Sequence, residues 1–393
     1  MVRDVRNSCL GLRLANVYDL SDNKTYILKF SSTNSKALSK DGSNNSHIPS
    51  EEIENQKLFV LIESGIRFHG TKFVRDKNEL PSPFTMKLRR YIRLKRLEDI
   101  KQIGADRVVD MKFGSGDSAF HLIHELYSQG NIILTDHNYE IVCLLRSHQF
   151  EEDVAIKVGE IYPVSFTTSM SNLTQETRQL SESQDVNIED FLSTCKKFLQ
   201  TEEDFIPSTE NTKREKKKMS LKQMLLSKTS AYASYGPEII EHCMHKAAIP
   251  NSVKLAKVVT FPAETLLSLL RELQSAETLL AQLDSPHEGF IIYREIPLRE
   301  ATPPGSLTAS NNQTSQLPES RIEFLEFVPL LFSQHENKPY QKFSSFEDAV
   351  DHFYGNIDDQ KMQKQALAVE EAAKMKIAKV SLTNGVVSYV FFT

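Results

Sequence analysis

A group of arginines near residue 90 has the residue type and the spacing that bind phosphate. Arg89, Arg93 and Arg96 recur at i, i+4 and i+7, which would place them on one face of a helix, and Arg90 lies beside them. A guanidinium donates two parallel hydrogen bonds to phosphate oxygens, so this pattern predicts binding to RNA or phosphate. A solvated helix face without a ligand is the alternative.

The charge around these arginines is concentrated locally. The chain has 47 basic and 52 acidic residues and a net charge of −5, yet residues 64–113 hold 13 basic and 6 acidic residues, a net of +7. The overall charge therefore indicates neither a nucleic-acid nor a membrane partner. Such a partner would have to be bound by a local patch.

A second polar pair, Asp106 and Arg107, directly precedes a predicted strand. A carboxylate that accepts hydrogen bonds, next to a guanidinium that donates or stacks, has the chemistry to bind a nucleotide. A surface ion pair that contributes little to stability is the alternative.

The remaining polar clusters lack the spacing of a catalytic or metal site. His121 and His124 are three residues apart in a predicted strand, which places them on opposite faces. His242, Cys243 and His245 are too close together for a tetrahedral structural metal site. Since no Ser/His/Asp, Cys/His or paired-carboxylate arrangement stands out, we expect a protein that is not an enzyme and needs no metal or cofactor.

Composition narrows the class of protein further. Of 393 residues, 40% are hydrophobic and 25% are charged, which suits two or three domains with buried cores. The four cysteines show no CxxC spacing, as is typical of a reducing compartment. The chain has no bilayer-length apolar run and no secretory signal, so we expect a cytoplasmic protein without a membrane partner. A basic run at residues 213–218 leaves the nucleus open as a second location.

The elements that must position these residues are mostly strands in the first part of the chain. Runs of β-branched and aromatic residues between turn signals predict strands at 25–30, 57–64, 66–69, 108–113, 119–127, 131–134 and 141–145. This spacing is typical of an antiparallel sandwich or barrel. One helix, from Phe84 to between Lys95 and Ile100, carries the arginines.

The second part of the chain alternates between polar, helical and extended segments. A Ser/Thr/Glu-rich linker precedes a helical block that begins near residue 220, with Gly236-Pro237 as a helix start. Strands are predicted at 290–294 and 324–331. A helix follows, and then short coiled-coil spacing that ends at Asn384-Gly385 before an apolar, strand-like tail. The fold class is therefore α+β.

Several blocks of the sequence resemble one known family, the NFACT family. The resemblance is carried by GLRLANVYDLSDNKTYILKF, VLIESGIRFHGTKF, PFTMKLRRYIRLKRLEDIKQIGADRVVDMKFG, FHLIHELYSQGNIILTD and YGPEIIEHC. In addition, SFEDAVDHFYG and the following QKMQKQALAVEEAAKMK resemble the start of that family's coiled coil.

The resemblance implies an architecture. In this family an antiparallel β-sandwich, similar to the N-terminal domain of formamidopyrimidine-DNA glycosylases, is split by a helix–hairpin–helix domain and followed by a coiled coil. The implied divisions are 1–165 for the first part of the NFACT N-terminal domain (with a flexible insertion at 31–56), 166–285 for the linker and helix–hairpin–helix domain, 286–355 for the second part (with a flexible loop at 301–320), and 356–393 for the start of the coiled coil and a divergent tail.

The resemblance also implies a function. NFACT proteins bind large ribosomal subunits that carry a stalled nascent chain on peptidyl-tRNA, recruit a listerin-type ubiquitin ligase, and bring in alanyl-tRNA for C-terminal tailing. The family's Asp-Arg motif, which contacts tRNA, falls on Asp106 and Arg107.

The chain departs from the family pattern at both ends. An aspartate of the family's first helix has no counterpart here, and most of the coiled coil is missing. We therefore expect a truncated form of partial function, with ligase recruitment weak or lost. Two rival functions are a protein adaptor in nuclear export and a DNA glycosylase-like enzyme. The enzyme is disfavoured because the chain begins Met-Val-Arg and lacks the N-terminal proline nucleophile.

Overall fold

The computed structural model describes residues 1–31, 57–73, 75–104, 107–151, 154–164, 188–204, 219–227, 230–283, 288–297 and 320–390. The described helices are α1 Val2–Cys9, α2 Pro83–Ile92, α3 Ile188–Asp204, α4 Leu221–Leu225, α5 Gly236–Lys246, α6 Leu255–Val258, α7 Ala263–Gln282 and α8 Phe346–Val390. The described strands are β1 Arg13–Asp19, β2 Thr25–Ser31, β3 Lys57–Glu63, β4 Arg67–Gly70, β5 Leu97–Gln102, β6 Val108–Phe113, β7 Phe120–Glu125, β8 Asn131–Asp136, β9 Ile141–Leu144, β10 His148–Glu151, β11 Val154–Ile156, β12 Gly289–Pro297, β13 Ser320–Val328 and β14 Tyr340–Phe343.

Two antiparallel sheets form the first part of the molecule. One has the order β1-β2-β3-β4 and the other β5-β6-β7-β8-β9. Their apolar faces contribute to one core, in which Phe30 of the first sheet stacks on Phe113 of the second with ring centroids 6.4 Å apart. The predicted α+β class with antiparallel sheets is confirmed.

The two sheets are joined by backbone hydrogen bonds at one corner. The amide of Leu94 donates to the carbonyl of Leu14 over 2.8 Å, and the amide of Leu97 donates to Leu12 over 2.9 Å. Beyond Leu14, the outer edge of β1 has no neighbouring strand in the described part of the chain. This leaves the carbonyls of β1 in need of other partners.

A second contact between the sheets lies at their opposite end. There the turn after β3 meets the turn before β8, and the amide of Gly65 donates to the carbonyl of Glu125 over 3.2 Å. Gly65 and Gly130 both have positive φ, and a Cβ built on Gly130 would lie 1.9 Å from the amide nitrogen of Gly65. Only glycine permits this approach.

A helical unit and a three-stranded sheet form the second part of the molecule. Helices α3 to α7 enclose their own core, which also takes Phe290, Ile292 and Val328 from the sheet of order β13-β12-β14. No helix in the described ranges is both long and apolar enough to cross a membrane.

The start of α8 returns to the first sheet. Thr71 donates from its hydroxyl to Asp351 over 2.7 Å, and Asp358 accepts hydrogen bonds from Arg67 and Arg75. Arg67 also donates to Glu63 over 2.7 Å, so α8 is tied to β4 by a network of partly buried charges.

Three predictions of secondary structure were wrong. Residues 97–102 form β5, so the longer of the two helix ends is wrong and the end near Lys95 is the closer one, because Leu97 and Ile100 enter the core and the chain pairs with β6. A helix, α3, lies inside the predicted linker, so the helical unit begins earlier than residue 220. Helix α8 continues through Asn384-Gly385 to Val390, where a strand-like tail was expected. Residues 32–56 of the predicted insertion and most of the 301–320 loop lie outside the described residues.

Candidate nucleic-acid interface

The helix that carries the first arginines is short and well defined. Ser82 caps α2 by accepting a hydrogen bond from the amide of Thr85 over 3.2 Å, and a proline occupies the first turn. Thr85, Leu88 and Ile92 are buried against the core. The helix ends at Ile92, because Arg93 is extended and Leu94 adopts a positive φ of 65°.

The four arginines predicted to share a helix face therefore do not all lie on a helix. Arg89 and Arg90 belong to α2, Arg93 is its C-cap, and Arg96 lies in the extended segment that bridges to Arg13. The physical reason is the backbone pairing of residues 94–97 with residues 11–14, which a continued helix would prevent. The predicted row at i, i+4 and i+7 is thus wrong for Arg96.

Arg89 and Arg93 bind the open edge of β1. The Nε of Arg89 donates to the carbonyl of Val17 over 2.8 Å, and the Nε of Arg93 donates to Ala15 over 3.3 Å. Each guanidinium thereby supplies the partner that a neighbouring strand would otherwise provide. One donor of each arginine therefore has a structural role, which the sequence did not indicate.

The same arginines keep charge and donors for a ligand. In the described part of the chain, no carboxylate lies within 4 Å of Arg89, Arg90 or Arg93, whereas Arg96 is 4.0 Å from Glu98. Arg90 and Arg93 are exposed and Arg89 is half-buried. A guanidinium has five donors in total, so the use of Nε leaves both Nη groups available for phosphate.

Arg107 lies far from this cluster. It is exposed and directly precedes β6, and its carbonyl accepts the amide of Leu126 over 2.8 Å. Arg96 directly precedes β5, so the six residues of β5, about 20 Å of extended chain, separate the two predicted sites. Asp106 lies outside the described residues.

A buried carboxylate lies beside the segment that holds Arg107. Glu125 is 1% exposed, pairs with Val108 across the sheet, and accepts a hydrogen bond from the hydroxyl of Tyr162 over 3.0 Å. Burial raises the pKa of Glu125, and the hydrogen bond from Tyr162 opposes that rise. Nothing in the local sequence distinguishes Glu125 from an exposed strand residue, so sequence reasoning missed it.

The histidines of the first part have structural partners. His121 shares a hydrogen bond of 2.9 Å with Asp110, while His124 is fully buried and bonds to the carbonyl of Glu63 over 3.1 Å. Burial lowers the pKa of His124 to about 4, so it is neutral at physiological pH. Among the residues with a described position, no three His, Cys, Asp or Glu side chains are grouped so as to hold a metal ion.

Comparison with known proteins finds one matching family and relatives that are named as ribosome quality control subunits. The family described as "NFACT N-terminal and middle domains" matches residues 51–202. The chain is 34% identical over 383 residues to the human protein named ribosome quality control complex subunit NEMF, which covers 97% of this chain and 29% of that protein. It is 29% identical over 384 residues to ribosome quality control complex subunit 2 of Schizosaccharomyces pombe, covering 92% of this chain and 34% of that one.

Solved structures show a weaker likeness. The fibrinogen-binding protein from Staphylococcus aureus matches 90% of this chain and 96% of its own, with a TM-score of 0.46 and 13% identity. This chain spans about a third of the length of the curated relatives.

Proposed function

Because the chain belongs to the NFACT family, we propose that it is an RNA-binding subunit of ribosome-associated quality control that docks on the large ribosomal subunit. The observation that carries this proposal is the identity to NEMF, which extends over 97% of the chain rather than over one motif. The cytoplasm is the proposed location, with the nucleus as a second one.

The proposed docking surface is the group of arginines at the end of α2. Arg89, Arg90 and Arg93 have no acidic partner within 4 Å among the described residues, and their stretch of sequence has a net charge of +7. Unpaired guanidiniums bind phosphate chiefly by releasing counterions, which gives affinity without sequence preference. Such a surface suits ribosomal RNA, whose backbone is a continuous array of phosphates.

The proposed tRNA contact is separate and consists of Asp106 and Arg107. Arg107 supports it by being exposed and fixed through its backbone, with the buried pair of Glu125 and Tyr162 beside it. The finer roles belong to the same proposal: peptidyl-tRNA and alanyl-tRNA as ligands, support of alanine tailing, and a contact with a listerin-type ligase. In this role the protein binds and positions RNA and catalyses no step of its own.

The finer architecture is also part of the proposal. The shared core of the two sheets supports a β-sandwich, and the Gly236-Pro237 start of α5 within a compact helical unit supports a helix–hairpin–helix. In that arrangement the helical unit interrupts the sandwich, and β12 to β14 and the start of α8 complete it.

Co-sedimentation with purified large ribosomal subunits tests the proposed function. We expect the full chain to pellet with the subunits in about 0.05 M KCl and to be released as salt rises. The R89Q/R93Q variant should be released at lower salt than the matched K338Q/K342Q variant, whose lysines lie in β14 and in the bend just before it. A full chain that stays in the supernatant at low salt would contradict the proposal.

The tRNA contact has its own measurement. The R107A and D106A variants should lose tRNA in a pull-down assay while they still pellet with large subunits, because β5 separates Arg107 from the arginines of α2. Equal loss of both activities would show that the pair has a structural role only.

A further inference from the structure

Four basic side chains lie around the outer edge of β1 and the sheet face beside it. They are Arg13, Arg93, Arg89 and Lys77, and we call them the β1 row. Arg13 donates from Nη1 to the carbonyl of Leu94 over 2.9 Å, next to Arg93 in the chain. Arg13 is distant in sequence from the predicted arginines and Lys77 lies outside their helix, so only the position of β1 brings the four together.

The backbone of β1 sets the order and spacing of the row. Arg93 is held at the carbonyl of Ala15 and Arg89 at that of Val17, two residues further along the strand. Two residues of strand span about 6.6 Å, similar to the step between neighbouring phosphates of an extended nucleic-acid strand. The step from Arg93 to Arg89 is therefore close to one phosphate step, although it begins at the register irregularity between Leu14 and Asn16.

The ring of Tyr18 holds the far end of the row. The Nζ of Lys77 lies 4.3 Å from the ring centroid and also 5.7 Å from that of Phe59 on β3, so it lies over the face of the first sheet. The guanidinium of Arg89 lies 5.6 Å from the Tyr18 centroid. Two cations on one ring are positioned by attraction to its π-face. Neither has an acidic partner within 4 Å among the described residues.

The nearby acidic groups leave the row positive. Asp19 is 2% exposed, and its carboxylate accepts hydrogen bonds from the side chain of Asn78 and the amide of Ser82. Asp76 and Glu79 are exposed and flank Lys77 in the chain, and Glu98 lies 4.0 Å from Arg96, which bridges to Arg13. The field is therefore weakened at both ends of the row and is strongest at Arg89 and Arg93.

From this geometry we infer that the β1 row binds the phosphates of a single RNA strand laid along β1, with Arg13 and Lys77 as its end contacts. This inference rests on the proposed function and names the ligand and two further residues of the docking surface. An RNA strand fits better than an acidic peptide, because a phosphate backbone offers a continuous series of charges, one to each of the four groups. We expect no preference for particular bases, because the four groups contact the phosphates of the RNA.

Salt-dependent binding of a fluorescein-labelled oligouridine of twelve nucleotides tests the inference with the full chain. Each phosphate contact on a single strand contributes about 0.7 to the slope of log K against log salt, so R13Q/K77Q should lower that slope by about 1.4. At about 0.1 M salt the same loss corresponds to roughly 25-fold weaker binding. The K338Q/K342Q variant removes two lysines elsewhere and should keep both the slope and the affinity.

The outcomes separate this inference from the proposed function. If R13Q/K77Q binds the oligomer with an unchanged slope while the unaltered chain binds both RNA and large subunits, the β1 row is wrong and the proposed function stands. If the unaltered chain binds neither, the proposed function fails. Polyglutamate that competes as well as RNA at equal charge would overturn the choice of ligand. Unchanged melting by circular dichroism, which we expect for these exposed positions, confirms that the variants fold.

Discussion

Replacement of Gly130 by alanine should test how the two sheets of the first part are held together. Gly130 has a φ of +65°, and a Cβ there would lie 1.9 Å from the amide nitrogen of Gly65 and 2.2 Å from its Cα. These atoms are backbone, so the clash cannot be relieved by rotating a side chain. The turn before β8 must move away from the turn after β3, which breaks the 3.2 Å hydrogen bond from Gly65 to Glu125.

The expected cost has two contributions. The left-handed backbone alone costs an alanine about 1–2 kcal/mol. Forcing a methyl group into a filled contact adds about 1–3 kcal/mol, so G130A should lose about 2–5 kcal/mol. The matched control is G116A, because Gly116 has a φ of +58° and nothing within 4 Å of its Cβ position. That variant should lose only the first contribution.

Urea unfolding followed by far-UV circular dichroism measures the difference, since the chain has no tryptophan to report by fluorescence. Hydrogen exchange should in addition show faster exchange of the Gly65 amide in G130A alone. With a slope of about 2 kcal/mol per molar urea, the G130A midpoint should fall by about 1–2.5 M. Equal losses in G130A and G116A would refute the idea that the glycine contact, rather than backbone strain, determines the cost.

Three further predictions concern buried and partly buried groups. Burial raises the pKa of Glu125, so the free energy of unfolding should fall as pH rises between the ordinary and the raised pKa of this carboxyl. The E125Q variant should flatten that fall in melts recorded at several pH values, and an unchanged pH profile would contradict the prediction. Burial raises the pKa of Cys9, Cys143 and Cys195 to about 11 and that of Cys243 to about 12. All four thiols should therefore resist iodoacetamide at about pH 8 until the chain is denatured, and rapid labelling of the native chain would contradict this prediction. D358N should lower the free energy of unfolding by about 1–2 kcal/mol and speed hydrogen exchange at the start of α8, because Asp358 accepts hydrogen bonds from two arginines but is partly exposed. The control is D359N at the exposed neighbouring residue, and equal effects of the two variants would refute the prediction.

Strands bounded by clear turn signals were the most predictable part of the fold. The predicted strand 108–113 coincides with β6, and 25–30 and 57–64 each differ from β2 and β3 by one residue at one end. Local residue types suffice there because each strand has a nearly continuous apolar run and a defined turn. The helix start at Gly236-Pro237 was equally clear, since proline in the first helical turn is a local signal.

The failures occurred where distant contacts override local pattern. Residues 97–102 continue a helical pattern in sequence, yet pairing with β6 and with residues 11–14 makes them extended. Helix α3 carried a readable signal, Phe191 and Cys195 at helical spacing with Ile188 and Leu192, but the polar residues between them concealed it. Strand β1 had few β-branched residues, so Arg13 could not be assigned to the basic surface from sequence.

The position of Arg89 and Arg93 at an open strand edge links stability to binding. An exposed edge of backbone carbonyls and amides invites pairing with another chain, and charged side chains along the edge prevent it. Here the Nε atoms satisfy the carbonyls of Val17 and Ala15, and that bond also fixes the direction of the Nη groups. A lysine at either position would keep the charge but lose the fork, because the three donors of an ammonium diverge tetrahedrally and cannot form two parallel hydrogen bonds to one phosphate. R89K/R93K should therefore weaken RNA binding while net charge stays constant, which separates a geometric site from a merely positive surface.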